Sequence, residues 1–211
     1  MKIGTFRSIP LRLHSSFFLL AAFCLISAFV NGGVSLVLGT AALIIILFGS
    51  VMVHEIGHAL VAEHYGIGTR NITLHLLGGF ASLEKEPTEP REEIYIALAG
   101  PAVNLLLVLL GLILLHWGIP YSTEFTVINA IMGIFNLVPA YPMDGGRVLR
   151  ALLNYRYGYV KATSIALKVT AFFSVGFIAA GCWYRWIGLI FVGVFLMFIT
   201  YSSSLIEKKS Y

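Results

Sequence analysis

The chain has 211 residues, 58% of them hydrophobic and 11% charged, with a mean hydropathy of +0.88. A soluble domain is about 45–50% apolar and about 25% charged, so a water-facing globule is excluded, and disordered and collagen-like chains with it. The length holds roughly six spans of about 20 residues with short loops, and the net charge of +4 then reports on loop placement at a membrane rather than on nucleic acid.

Taken in chain order, residues 1–13 carry Lys2, Arg7 and Arg12 ahead of a first span at about 15–30, which ends at Asn31-Gly32-Gly33. No small-residue cleavage site follows this run, so it reads as a retained span. A second span runs from about 34 to 65, longer than a bilayer requires, which predicts tilt or protrusion. Between 67 and 91 the pattern changes. Asn71, Thr73 and His75 alternate with Ile72, Leu74 and Leu76, a strand period. Residues 77–83 read as a turn and a second short strand, and the charged stretch 84–93 as a surface loop. Further spans follow at about 94–117, 125–146, 162–182 and 186–203. The fourth is broken at Pro139 and Pro142, because proline removes a helical donor and clashes with the preceding turn. Cys24 and Cys182 lie in apolar runs without a CxxC pair and read as buried thiols. The expected fold is a polytopic α-helical membrane protein, a single domain over 1–211, with six transmembrane helices, a short membrane-associated β segment between the second and third, and a broken fourth helix.

Six spans place both termini on one side. That side holds Lys2, Arg7, Arg12, Arg70, Lys85, Arg91, Arg147, Arg150, Arg156, Lys161, Lys208 and Lys209, whereas the opposite loops hold Arg185. The positive-inside rule then makes both termini cytoplasmic, with Trp117, Trp183, Tyr184 and Trp186 in the outer aromatic belt.

Ionisable groups at membrane depth are costly and point to function. The clearest are His54-Glu55-Ile56-Gly57-His58. Residues four apart on a helix lie about 40° apart around its axis, so both imidazoles share a face. This HExxH spacing supplies two zinc ligands, with Glu55 beside them to take a proton from metal-bound water. A catalytic zinc needs a third protein ligand and an open position. Asp144, in Asn136-Leu-Val-Pro139-Ala-Tyr-Pro142-Met-Asp144-Gly145-Gly146, is the natural donor, since the expected topology puts it with His54 and His58 in the cytoplasmic half of the bilayer.

These stretches, HEIGH at 54–58, GPAVN at 100–104 and NLVPAYPMDGG at 136–146, resemble the site-2 protease family of intramembrane zinc metalloproteases. Gly78-Gly79-Phe80-Ala81 and the six-span layout extend the resemblance over essentially the whole chain. The chain lacks the inserted PDZ domain of one subgroup and the C-terminal regulatory domain that often follows an opening like Leu-Arg-Leu-His-Ser-Ser, so the resemblance implies a minimal catalytic core. It implies His54, His58 and Asp144 as ligands of one zinc ion per chain, Glu55 as general base and later proton donor, and hydrolysis within or near a transmembrane segment of a membrane-anchored substrate. Asn104 and Asn136 are candidates to hydrogen-bond the substrate backbone or the oxyanion; the other reading of each is a polar helix–helix contact. The alternative for the whole chain is an inactive membrane-binding or chaperone protein of the same fold.

One physical requirement points to a further element. A transmembrane helix hides its peptide bonds, so a protease must unwind it and give the freed groups partners. The strand segment around Gly78, Gly79 and Phe80 offers them by strand addition. The substrate, the cleaved bond, any need for a prior cleavage, the gating helices, the oligomeric state and any regulatory partner are not written in the sequence.

Overall fold

The computed structural model describes residues 1–76 and 78–209, with side chains to residue 202. Leu77 of the expected turn and the Lys208 and Lys209 side chains lie outside the described residues. The elements are β1 (Lys2–Phe6), β2 (Ile9–Leu13), α1 (Ser15–His64), β3 (Thr69–His75), β4 (Gly78–Leu83), α2 (Pro90–His116), α3 (Ser122–Asn136), α4 (Asp144–Tyr157), α5 (Tyr159–Trp183) and α6 (Ile187–Lys209). Two compact units divide the chain: Met1–Pro87 with Ala99–Gly133, and Thr88–Leu98 with Ile134–Tyr211.

In the first unit, the expected spans at 15–30 and 34–65 form one helical element broken at Gly33, whose φ of 64° and ψ of −156° are non-helical. A continuous 50-residue helix would be about 75 Å long at 1.5 Å per residue, far beyond a hydrocarbon core of about 30 Å. Glycine tolerates positive φ without a Cβ clash, which is why the break falls there. His14 caps α1, its Nδ1 accepting from the Ser16 amide at 3.2 Å.

The strand segment belongs to a four-stranded sheet, ordered β1-β2-β3-β4. β3 and β4 pair antiparallel, as expected for 69–83. The opening residues, to which the sequence reading assigned no structure, add two strands. β1 and β2 make a hairpin whose turn residues Arg7 and Ser8 take φ of 43° and 70°. That double positive φ matches the twist of hairpin strands. β2 then pairs parallel with β3, Leu11 opposite Ile72 and Leu13 opposite Leu74, across the long α1 connection that parallel pairing demands.

The alternation read in β3 sets its packing. Ile72 and Leu74 are buried while Asn71, Thr73 and His75 are half-buried. Ile72 joins Ile9 and Ala59, with Met52, Ile56 and Ala81 against them. Leu74 joins Phe48 and Val51. Met52, Ile56 and Ala59 are thus the α1 face that meets the sheet. Each residue turns a helix by 100°, so His54 lies roughly 160° from both Met52 and Ile56, His58 roughly 120° from Met52 and roughly 160° from Ile56, while Glu55 lies only about 60° from Met52. The sheet therefore flanks Glu55 and leaves the imidazoles to another neighbour.

In the second unit, α4 packs on α5 and α5 on α6. α2 starts at Pro90, four residues earlier than expected, because proline suits a first helical position and Glu92 Oε2 accepts from the Thr88 and Glu89 amides at 3.2 and 3.3 Å. The expected broken fourth span resolves into α3, an irregular stretch at 137–143, and α4, which continues to Tyr157.

Among the described residues, α1, α2 and α5 are long and apolar enough to cross a membrane, and Ile187–Ser202 is a shorter apolar helix. Leu19, Phe23, Val30, Ile45, Phe172, Ile187 and Phe198 are exposed along these helices, an apolar surface that suits lipid rather than water. Cys182 is exposed and Cys24 half-buried, where buried thiols were expected.

Candidate metal centre

The His54 and His58 rings meet edge to face at 4.7 Å between centroids, and their Nε2 atoms are 3.1 Å apart. Both rings are buried. Two nitrogens bound to one tetrahedral zinc at about 2.0–2.1 Å stand about 3.3 Å apart, so this pair already has close to the spacing that one ion requires. Gly100 on α2 faces the same nitrogens. A Cβ at that position would stand 2.4 Å from His58 Nε2 and 2.6 Å from His54 Nε2, so its absence leaves a space in front of both.

Behind His54 lies a chain of polar groups. His54 Nδ1 and Asn104 Oδ1 are 2.6 Å apart. Asn104 Nδ2 donates to Asn129 Oδ1 at 3.0 Å. Asn129 Nδ2 donates to Ser50 Oγ at 3.0 Å and to the Phe125 carbonyl at 2.9 Å. Asn104 and Asn129 are fully buried and Ser50 nearly so.

Glu55 is half-buried. Gly79 on β4 crosses its side chain so closely that a Cβ there would lie 2.4 Å from Glu55 Cγ and 2.9 Å from Oε1. Gly78 takes a φ of 130°, and Phe80 is 63% exposed. β4 is an edge strand of the sheet.

Asp144 opens α4 and is buried. An acid in the first turn complements the helix dipole. The two glycines after it allow the turn to sit on main chain: a Cβ at Gly145 would meet the Leu137 carbonyl oxygen at 2.3 Å, and one at Gly146 the Tyr141 amide nitrogen at 2.4 Å. The Tyr141 amide donates to Thr170 Oγ1 at 2.8 Å, which fixes the irregular stretch to α5. Asn136 ends α3 and is half-buried.

His54, His58 and Asp144, all buried, each offer one ligand atom, and these atoms lie within 4.8 Å of one another. Two imidazole nitrogens and a carboxylate oxygen suit zinc and leave the fourth position of a tetrahedral site to water or substrate.

Sequence reasoning did not single out Ser50, Gly100, Asn129, Glu93 or Arg150. Arg150 Nε donates to Glu93 Oε1 at 3.0 Å and its Nη2 to the same oxygen, and both groups are buried. The guanidinium lies 5.5 Å from the Tyr141 ring centre and 5.1 Å from that of Tyr159, and Nη1 donates to Tyr159 Oη at 3.1 Å. Burial opposes the Arg150 charge, but the Glu93 carboxylate and the two tyrosines outweigh it and raise the pKa above its ordinary value. The signal for Asn129 was present, an amide inside an apolar span. Nothing in the sequence marks Arg150 apart from the other interfacial cations.

The family model for Peptidase family M50 matches residues 42–126 and 114–177. The chain is 36% identical over 196 residues to "Zinc metalloprotease MJ0392" of Methanocaldococcus jannaschii, covering 90% of this chain and 56% of that protein. It is 26% identical over 162 residues to "Stage IV sporulation protein FB" of Bacillus subtilis, covering 75% and 55%. The chain thus spans about half the length of these curated relatives. Among solved structures, "Site-2 Protease from Methanocaldococcus jannaschii" superposes with a TM-score of 0.75 at 34% identity, covering 96% of this chain and 94% of that one. With its apolar helices, the chain is a membrane protein, and it belongs to peptidase family M50, the site-2 proteases.

Proposed function

We propose that this chain is an intramembrane zinc metalloprotease that hydrolyses peptide bonds within or near transmembrane segments of membrane-anchored proteins. The observation that carries the reading is the grouping of His54, His58 and Asp144 ligand atoms within 4.8 Å, with Glu55 on the same helix as both imidazoles. His54 Nε2, His58 Nε2 and a carboxylate oxygen of Asp144 would hold the ion. When bound, zinc supplies Lewis acidity toward a carbonyl oxygen and toward water. Glu55 accepts a proton from the attacking water as its oxygen joins the carbonyl carbon, and returns that proton to the amine nitrogen as the C–N bond breaks. Asn136 hydrogen-bonds the substrate backbone or the oxyanion. Asn104, the other candidate for that role, serves His54 instead, because its carbonyl oxygen and one amide hydrogen are engaged.

The unwound substrate adds to the open edge of β4 along Gly78, Gly79 and Phe80. The contact of Gly79 with Glu55 supports this, because it brings an added strand to the proton acceptor. The distribution of Lys and Arg supports six spans, both termini in the cytoplasm and an active site in the cytoplasmic half of the bilayer. The partners are the lipid bilayer and the transmembrane substrate, not nucleic acid. The alternative, an inactive protein of the same fold, is not favoured by a chain that keeps His54, Glu55, His58 and Asp144.

The test uses purified protein in detergent with a membrane-anchored candidate substrate. Cleavage is expected to stop with chelator, to return with zinc, and to be lost in Glu55→Gln and Asp144→Ala. Cleavage that survives Glu55→Gln overturns the mechanism, and wild-type protein that binds no zinc removes its premise.

A further inference from the structure

The buried amides behind His54 carry a direction, and that direction starts at a backbone carbonyl. The Phe125 carbonyl can only accept, so the Asn129 atom 2.9 Å from it must be the amide nitrogen. The same nitrogen donates its second hydrogen to Ser50 Oγ. Asn129 therefore turns its carbonyl oxygen toward Asn104, and an oxygen there must receive an N–H, which orients the Asn104 nitrogen to it. Asn104 then turns its own carbonyl oxygen to His54 Nδ1 at 2.6 Å. An amide oxygen cannot donate, so the proton of the neutral imidazole sits on Nδ1 and the lone pair on Nε2. Nε2 is the nitrogen that faces His58 Nε2.

From this geometry we infer that Asn129, whose side chain bonds Asn104, Ser50 and the Phe125 carbonyl, is a positioning residue that sets the tautomer of His54 through Asn104, with Ser50 and the Phe125 carbonyl as its anchors. The inference rests on the metal reading above and extends it to α3. Each of the three amide and hydroxyl side chains is buried, where reversing Asn104 would set acceptor against acceptor and reversing Asn129 donor against donor, so the relay has one low-energy orientation. Without Asn129, the Asn104 amide has no partner dictating which end faces His54. It then offers its NH2 to Nδ1 part of the time, which drives the ring proton to Nε2, the ligand position.

The test is a zinc-affinity measurement on the full chain in detergent, by competition with a chromophoric chelator and zinc alone as probe. Asn129→Leu replaces the amide with an apolar side chain of similar size and is expected to weaken zinc binding by about 10-fold, at the low end of the 10–100-fold typical for outer-shell partners. Ser50→Ala removes one of two anchors and is expected to have a smaller effect. The deciding variant is Asn129→Leu combined with Asn104→Asp. A carboxylate presents an oxygen to Nδ1 whichever way it turns, so the double variant is expected to regain the affinity of Asn104→Asp alone. A packing role for Asn129 would not be rescued this way. Equal zinc affinity in wild type and Asn129→Leu, or a double variant as weak as Asn129→Leu, overturns the inference while leaving the metal reading intact. Wild-type protein that binds no zinc overturns both.

Discussion

The two regions that present the candidate metal ligands hold them by different physics. In the first unit, His54 is oriented by neutral hydrogen bonds through Asn104, Asn129 and Ser50, and α1 is pressed on the sheet through Met52, Ile56 and Ala59. In the second, Asp144 sits on a turn of glycines packed against main chain, and the helix that carries it bears a buried ion pair, Arg150 with Glu93. A neutral relay in an apolar setting fixes direction at little desolvation cost, whereas a buried charge pair costs several kcal/mol per ion to desolvate and depends on both partners being present. Substitutions in the first region should therefore alter chemistry with modest loss of fold, and those in the second should threaten the fold itself.

The comparison is broken most severely at Glu55. Glu55→Gln keeps shape and volume but removes the carboxylate proposed as proton acceptor, and cleavage is expected to fall by about 100- to 10,000-fold with unchanged zinc content and thermal stability. A parallel loss of stability would mean that the first region is structural as well as chemical. In the second region, Arg150→Ala leaves Glu93 buried without its guanidinium and is expected to cost about 3–5 kcal/mol, read as a lowered unfolding temperature in detergent. A change of less than about 1 kcal/mol, the range of exposed pairs, would erase the contrast between the regions. Gly145→Ala drives a Cβ into main-chain atoms of Leu137 and Val138, which cannot rotate away. An overpacking cost of about 1–3 kcal/mol is expected, together with weaker zinc binding because Asp144 is the adjacent residue.

The smallest effect concerns His75, outside the helical spans. Its ring stacks on His14 at 4.5 Å between centroids, and partial burial, followed by the like charge of His14, lowers its pKa below the ordinary 6.5. The unfolded chain then binds the proton more readily than the folded one. The associated stability is present above about 6.5 and is lost as pH falls through the lowered folded value. A plot of unfolding temperature against pH is expected to drop in acid for the wild type and to drop less for His75→Gln; identical curves would show that the pair does not couple to folding.

Much of the fold was legible. Periodicity in β3, the glycine break at Gly33 and the prolines after Asn136 are local signals, set by steric limits that a few neighbouring residues impose. β1 and β2 were missed, although Ile9, Leu11 and Leu13 alternate in β2, because so short a run gains its pairing from β3, more than fifty residues away. In the site, HEIGH and DGG carried their chemistry in spacing, and Gly100 lay within a quoted motif without its reason being visible.

By itself, the sequence determined that this chain belongs in a membrane and that His54, Glu55, His58 and Asp144 are the groups worth watching. Composition and helical spacing are properties of neighbours along the chain, and they survive without a structure. Only the tertiary structure decided what surrounds those groups: that Gly79 crosses Glu55, that Gly100 clears the space before two imidazoles, and that the amides of α2 and α3 line up with one polarity behind His54. Hydrogen-bond direction and close approach depend on atoms from residues dozens of positions apart, so no local pattern encodes them.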